Sequence, residues 1–248
     1  MFSIDFVYYK PAASCCVPHS KGEIKMQIKT AFTYVFQDPD WLKKIGSMGL
    51  VNLIPLAGQI ILLGWAFDII KRVIADDPAP LPELRFKDHL ILGLKGTVGL
   101  VSYLIPFFVL AGLAAAIPAA ALLATDEVGT GLIVLSVLLG GLALLYFLVI
   151  LLVMQAVFCS VALDNTIAAA YRVGKHLKLV RAAPGAFVLS ILLTGVALAI
   201  GGLGAIAFLV GVLFTMAYGF AVKGHLFAQA YQSGLTAVGE APSNLKDA

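Results

Sequence analysis

Residues able to do chemistry are sparse in this chain, and they do not cluster. The four histidines, His19, His89, His176 and His225, stand far apart with no HxxxH pair. Of the three cysteines, Cys15 and Cys16 are adjacent and Cys159 lies in an apolar run. No CxxC spacing exists, so neither a zinc site nor a disulfide framework is expected. No HExxH, GxSxG, P-loop or GxGxxG pattern occurs, which disfavours hydrolytic and nucleotide chemistry. The carboxylates scatter through loops without the pairing that acid–base catalysis needs. The sequence therefore assigns no catalytic residue, no cofactor-binding residue and no metal ligand. It calls for no cofactor and points away from an enzyme.

What remains are polar residues inside apolar runs, which are functional candidates because burying them in lipid is costly. Asn52 and Gln59 flank one turn and are expected to bond its freed backbone. Gln155 falls late in a long apolar run. Asp68 has Lys71 and Arg72 at i+3 and i+4, which predicts a local ion pair. Lys95 is expected to snorkel to the membrane surface. No ionisable residue falls clearly at mid-bilayer.

The elements that must position these residues are set by composition. The chain has 248 residues, 60% of them hydrophobic and 12% charged, with a mean hydropathy of +0.97. A soluble domain carries about 25% charged residues, and half that density cannot cover its surface. A soluble enzyme, a disordered chain and a nucleic-acid binder are excluded, and an all-α polytopic transmembrane bundle is predicted. Residues 1–27 read as a disordered extension with no apolar signal region. Residues 28–233 form the helical membrane domain, and 234–248 read as a flexible tail.

About six helices are predicted. Asp38-Pro39-Asp40-Trp41 is a helix start, with Asp38 as cap and Trp41, Lys43 and Lys44 suited to the interface. Before it, 28–36 reads as a short amphipathic helix lying on the membrane. The turn at Pro55 and Gly58 divides helix one, 41–54, from helix two, 58–74. An acidic, proline-rich loop follows at 76–83. Helix three, 90–123, contains Pro106 and Pro118. A polar break at Asp126 and Glu127 precedes helix four, 130–163. Helices five and six, 186–203 and 205–233, meet at a glycine-rich turn, and helix six leaves the membrane near Lys223. The first and last hairpins are short and broken by Pro or Gly. Gly93, Gly96 and Gly99 are expected to permit close helix packing.

Charge placement orients this bundle. All 17 basic residues fall within 1–44, 71–97, 164–183 and 223–248, and the alternate segments hold only Asp126 and Glu127. The positive-inside rule then puts both termini in the cytoplasm of a multi-pass inner-membrane protein. The segment 165–181 is basic, with Ile167, Tyr171, Leu177 and Val180 on one side and Arg172, Lys175, Lys178 and Arg181 on the other, the pattern of a helix in the interface plane. With Lys71, Arg72, Arg85 and Lys87 it forms an inner basic face that attracts anionic lipid headgroups.

The chain also resembles a known family. Ala31-Phe32-Thr33-Tyr34-Val35-Phe36 followed by Asp38-Pro39-Asp40-Trp41-Leu42-Lys43-Lys44-Ile45 is similar to the opening of the prokaryotic membrane proteins in the domain-of-unknown-function family numbered four thousand and thirteen. Leu53-Ile54-Pro55 with Gly64, Lys71 and Arg72, then Leu81-Pro82-Glu83, then Arg181-Ala182-Ala183-Pro184-Gly185, agree with it over about 28–233. The resemblance implies a multi-helix prokaryotic membrane protein and supplies no catalytic residues. Its members begin near Met26.

The functional expectation is a non-enzymatic membrane component that interacts with lipids or with a membrane-protein partner, including a second copy of itself, and not with nucleic acid. The alternative is a small transporter or channel subunit, motivated by the two interrupted hairpins.

Overall fold

The computed structural model describes residues 26–77, 81–125, 128–203 and 208–240. The proposed extension at 1–25, Asp126 and Glu127, and most of the proposed tail lie outside them. Every regular element among the described residues is helical. In chain order these are α1 (Ile28–Thr33), α2 (Trp41–Val51), α3 (Ala57–Ala75), α4 (Phe86–Thr125), α5 (Thr130–Asp164), α6 (Val173–Ala182), α7 (Pro184–Leu203) and α8 (Phe208–Ala237). Short 3-10 turns at Tyr34–Gln37 and Ile167–Tyr171 precede α2 and α6.

The division into helices follows the punctuation of the sequence. Pro55 and Gly58 separate α2 from α3, and a Cβ at Gly58 would lie 2.4 Å from the Val51 carbonyl. Gln59 donates to Asn52 Oδ1 at 2.6 Å, so these two side chains satisfy each other across the turn rather than bonding its backbone. Pro106 and Pro118 do not break α4, because a membrane helix can re-satisfy freed backbone groups locally. At about 1.5 Å per residue, α4 and α5 reach about 60 and 52 Å.

Three helices, Phe86–Ala124, Thr130–Asp164 and Pro184–Gly202, are long and apolar enough to cross a membrane. The α4–α5 hairpin is held by Tyr146, which donates to the Tyr103 carbonyl at 3.0 Å, and by the Phe107–Phe147 ring contact at 5.1 Å. Beyond that level its side chains, among them Phe108, Leu113, Leu138 and Leu145, are exposed. From Ile150 onward α5 is mostly enclosed.

The core lies at the other end. Residues 61–70 of α3 are buried on every side. So is most of α8 from Ala221 to Leu235. Beyond Lys223 the chain enters the most enclosed part of the protein, so the end of helix six packs into the core. Gly64 and Gly93 let α3 and α4 cross with backbones touching, since a Cβ at either would fall 1.9 Å from the His89 carbonyl or 1.8 Å from the Ile60 carbonyl. Gly96 lies under the Phe67 ring, and Gly99 faces Ala170. Along α7 and α8, Thr215 donates to the Gly201 carbonyl at 2.6 Å and Gly219 fits beside Ala197.

The segment 28–36 is likewise turned inward. Ala31, Tyr34 and Val35 are buried, Tyr218 donates to the Phe32 carbonyl, and the Gln27 N–H donates to Gln229 Oε1 at 2.8 Å. Its apolar side is thus used against α8.

Candidate functional site

The basic residues and their partners build one connected collar. Asp38, buried between the first 3-10 turn and α2, accepts from the Asp40 N–H at 2.9 Å through Oδ1. This bond lies before the helix: α2 begins at Trp41 with Asp40 at its N-cap and no side-chain cap bond, so Asp38 is not the helix cap that the sequence suggested. Its Oδ2 accepts from Lys44 Nζ at 2.7 Å and from the Leu81 N–H at 3.3 Å, while Lys44 also donates to the Leu81 carbonyl at 2.9 Å. Lys44 therefore points into the protein rather than to an interface. Trp65 on α3 donates to the neighbouring Pro82 carbonyl at 3.0 Å.

One turn further along α3, Asp68 does not pair with Lys71 and Arg72 as expected. Its Oδ2 accepts from Arg85 Nη2 at 2.8 Å and lies 3.5 Å from His89 Nε2. The Arg85 N–H in turn donates to His89 Nδ1 at 3.3 Å. Arg72 is paired with Asp77 instead. The reason is topological: residues 82–85 lie against α3 and bring a guanidinium to a carboxylate that the helix surface had buried. The Asp68 arrangement obeys the rule that a buried charge is paired.

A second part of the collar clamps the link between α5 and α6. Lys95 does not run free to solvent but donates to the Asn165 carbonyl at 2.7 Å and to its Oδ1 at 3.0 Å, capping the C-terminus of α5 with a cation. Tyr103 donates to the Ala170 carbonyl at 2.8 Å, Tyr171 and Ser102 share a hydroxyl hydrogen bond at 2.7 Å, and Arg172 pairs with Asp164. The predicted single amphipathic helix 165–181 is thereby corrected. It divides at Arg172, whose ψ of 54° is not helical, and Ile167 and Tyr171 are exposed. The inward face of α6 is His176, Leu179 and Val180, packed into the protein. Arg172, Lys178 and Arg181 face outward, with Lys175 partly exposed.

Beneath α6, His176 Nε2 lies 3.1 Å from Ser160 Oγ on α5, which is 3.4 Å from the Tyr231 hydroxyl on α8. All three side chains are buried, and His176 Nδ1 has no partner among the described residues. Burial, with Lys175 and Arg172 nearby, pushes the His176 imidazole down to about 4. No sequence signal pointed to this node. Gln155, also in the core, donates to the Phe187 carbonyl at 2.9 Å, far in the chain from Asn52 and Gln59. Among the described residues no group of His, Cys, Asp and Glu is arranged to hold a metal ion.

The hydrogen bonds and ion pairs of the collar join 38–44, 68–95, 164–181 and 240, segments that charge placement puts on one side of a membrane. Fold and site together define an all-helical protein of membrane-spanning composition with one basic, polar-clamped end. The family model described as "Protein of unknown function (DUF4013)" matches residues 47–226, most of the chain, and the protein belongs to that family. The match begins inside α2, so the Asp38–Lys44 opening lies outside it. No curated protein and no solved structure matches the chain.

Proposed function

We propose that this protein is a non-enzymatic component of a prokaryotic inner membrane that gathers anionic lipid headgroups, or an acidic membrane-protein partner, at its basic end. The observation that supports this is the orientation of α6. Its apolar side is consumed by the core, so Arg172, Lys178 and Arg181 are held outward on a rigid support instead of floating on a solvated segment. Each basic residue near an anionic bilayer contributes about 1 kcal/mol of attraction. Both termini would lie in the cytoplasm with this face.

The alternative, a small transporter or channel subunit, calls for a polar path. Asn52 and Gln59 bond each other at the α2–α3 turn while Gln155 bonds the Phe187 carbonyl, so the three do not share a lining.

The test is purification from mild detergent, with photo-cross-linkers placed at Arg172, Lys178 and Arg181. Co-isolated anionic lipid or a cross-linked partner, lost when Lys175, Lys178 and Arg181 are changed to Gln, is the expected result. A clean monomer carrying neither overturns the reading.

A further inference from the structure

Lys223 stands apart from the collar. It lies on α8 between Phe220 and Phe227, three residues before and four after, so both rings share its helix face. Its Nζ is 5.2 Å from the Phe220 ring centroid, 5.3 Å from that of Phe227 and 5.6 Å from that of Phe158 on α5. Phe158 in turn contacts the Phe67 ring of α3 at 5.3 Å. Two helices, α5 and α8, therefore contribute three rings around one ammonium group, and α3 backs one of them.

Ring faces attract a cation through their quadrupoles but do not neutralise it. A lysine ammonium also brings three N–H donors. Among the described residues Lys223 makes no ion pair and donates no hydrogen bond. The collar's Lys44, Lys95, Arg85 and Arg172 all find oxygen acceptors, whereas the near neighbours of the Lys223 ammonium are ring faces. The rings leave its charge unneutralised, and its open side gives an anion access to it.

Depth and surroundings narrow the anion. Phe158 lies seven residues before Asn165, about 10 Å along α5 from the clamped polar end, the depth of the headgroup–acyl boundary. Phe158 and Phe227 are buried, whereas Phe220 and Lys223 keep partial exposure. A free phosphate ion is usually held by several donors, such as backbone N–H nests or arginine forks. Here there is one ammonium in an apolar wall, which suits a phosphodiester whose remaining surface is hydrocarbon.

We propose that Lys223, with Phe158, Phe220 and Phe227, seats the phosphate of a single anionic phospholipid. The proposal rests on the lipid-binding reading above but uses none of the residues of α6, so the two can fail separately.

The full chain is purified in detergent, and native mass spectrometry is read in high salt with added phosphatidylglycerol, phosphatidylcholine or inorganic phosphate. One retained phosphatidylglycerol is expected, preferred about tenfold over phosphatidylcholine and not displaced by inorganic phosphate. Lys223→Gln should lose it and Lys223→Arg should keep it. Changing Lys175, Lys178 and Arg181 to Gln should remove salt-sensitive lipids but leave the retained one. If Lys223→Gln does not fold, Phe220→Leu is read instead, with an expected several-fold loss of phosphatidylglycerol affinity. Undiminished retention by a folded Lys223→Gln protein, or unchanged affinity in Phe220→Leu, overturns the proposal. So do equal retention of phosphatidylcholine and displacement by inorganic phosphate.

Discussion

His176 on α6 and Ser160 on α5 share a hydrogen bond of 3.1 Å in an interior that leaves both residues almost no solvent contact. Sixteen residues and a non-helical link separate them, so this bond fixes α6 against the bundle. Replacing Ser160 with Ala would leave the imidazole with two unpartnered nitrogens. The expected loss is about 1–3 kcal/mol, the desolvation penalty of a buried polar group, read as a lower thermal midpoint in detergent.

The same histidine makes the protein acid-sensitive. Its folded value of about 4 lies below the unfolded value of about 6.5. Between those limits the unfolded chain binds the proton and the folded chain does not, so stability falls as pH drops. Above pH 7 both states are neutral and this group contributes no slope. Thermal midpoints measured from about pH 7.5 to about pH 5 should decline, and His176→Gln should lessen the decline without abolishing it, because burial lowers the His225 imidazole as well. An equal slope in that variant would assign the acid sensitivity elsewhere.

Asp38 ties two segments that are far apart in sequence through Lys44 and Leu81. Asp38→Ala leaves the Lys44 ammonium, 16% exposed, without its carboxylate. A cost of about 3–5 kcal/mol is characteristic of breaking a buried pair. The chain beside Leu81 should become more readily cleaved by protease than in the parent protein. Asp38→Asn, which keeps an acceptor, should lose less.

The glycines divide into two groups. Gly64→Ala and Gly93→Ala put a methyl group against a carbonyl oxygen of the facing helix and should cost about 1–3 kcal/mol or more through overpacking. Gly112 and Gly140 have nothing within 4 Å of a built Cβ. Their alanine variants should be neutral or stabilising by up to about 1 kcal/mol, since alanine favours helix. Chemical denaturation of the four variants side by side checks the contrast.

Topology is tested by single cysteines in a background with Cys15, Cys16 and Cys159 replaced. An impermeant thiol reagent added to intact cells should modify a cysteine at Gly129 and spare one at Lys178. The reverse pattern would invert the bundle.

Much of the architecture was legible because Pro and Gly act locally. Pro55 with Gly58, and the Asp164–Asn165 end, marked helix limits to within a few residues. The glycine triplet of α4 was read correctly as a packing surface because small side chains have few other uses in an apolar helix. The site was less legible. Asp68 offered Lys71 and Arg72 at helical spacing, and nothing local revealed that a loop would return with Arg85. Lys223 and His225 marked an exit of α8 from the membrane, and nothing local revealed that Gln229 would bond His225 at 2.9 Å and the Gln27 backbone. Lys223 was counted as a topology charge, and its rings become meaningful only once Phe158 arrives from another helix.

The outer halves of α4 and α5 face outward over much of their length, whereas α3 and the end of α8 are wrapped on all sides. The body is thus broad at its polar-clamped end and slender along the hairpin. In a bilayer such a taper displaces unequal areas from the two leaflets, so lateral pressure acts on it differently above and below the midplane.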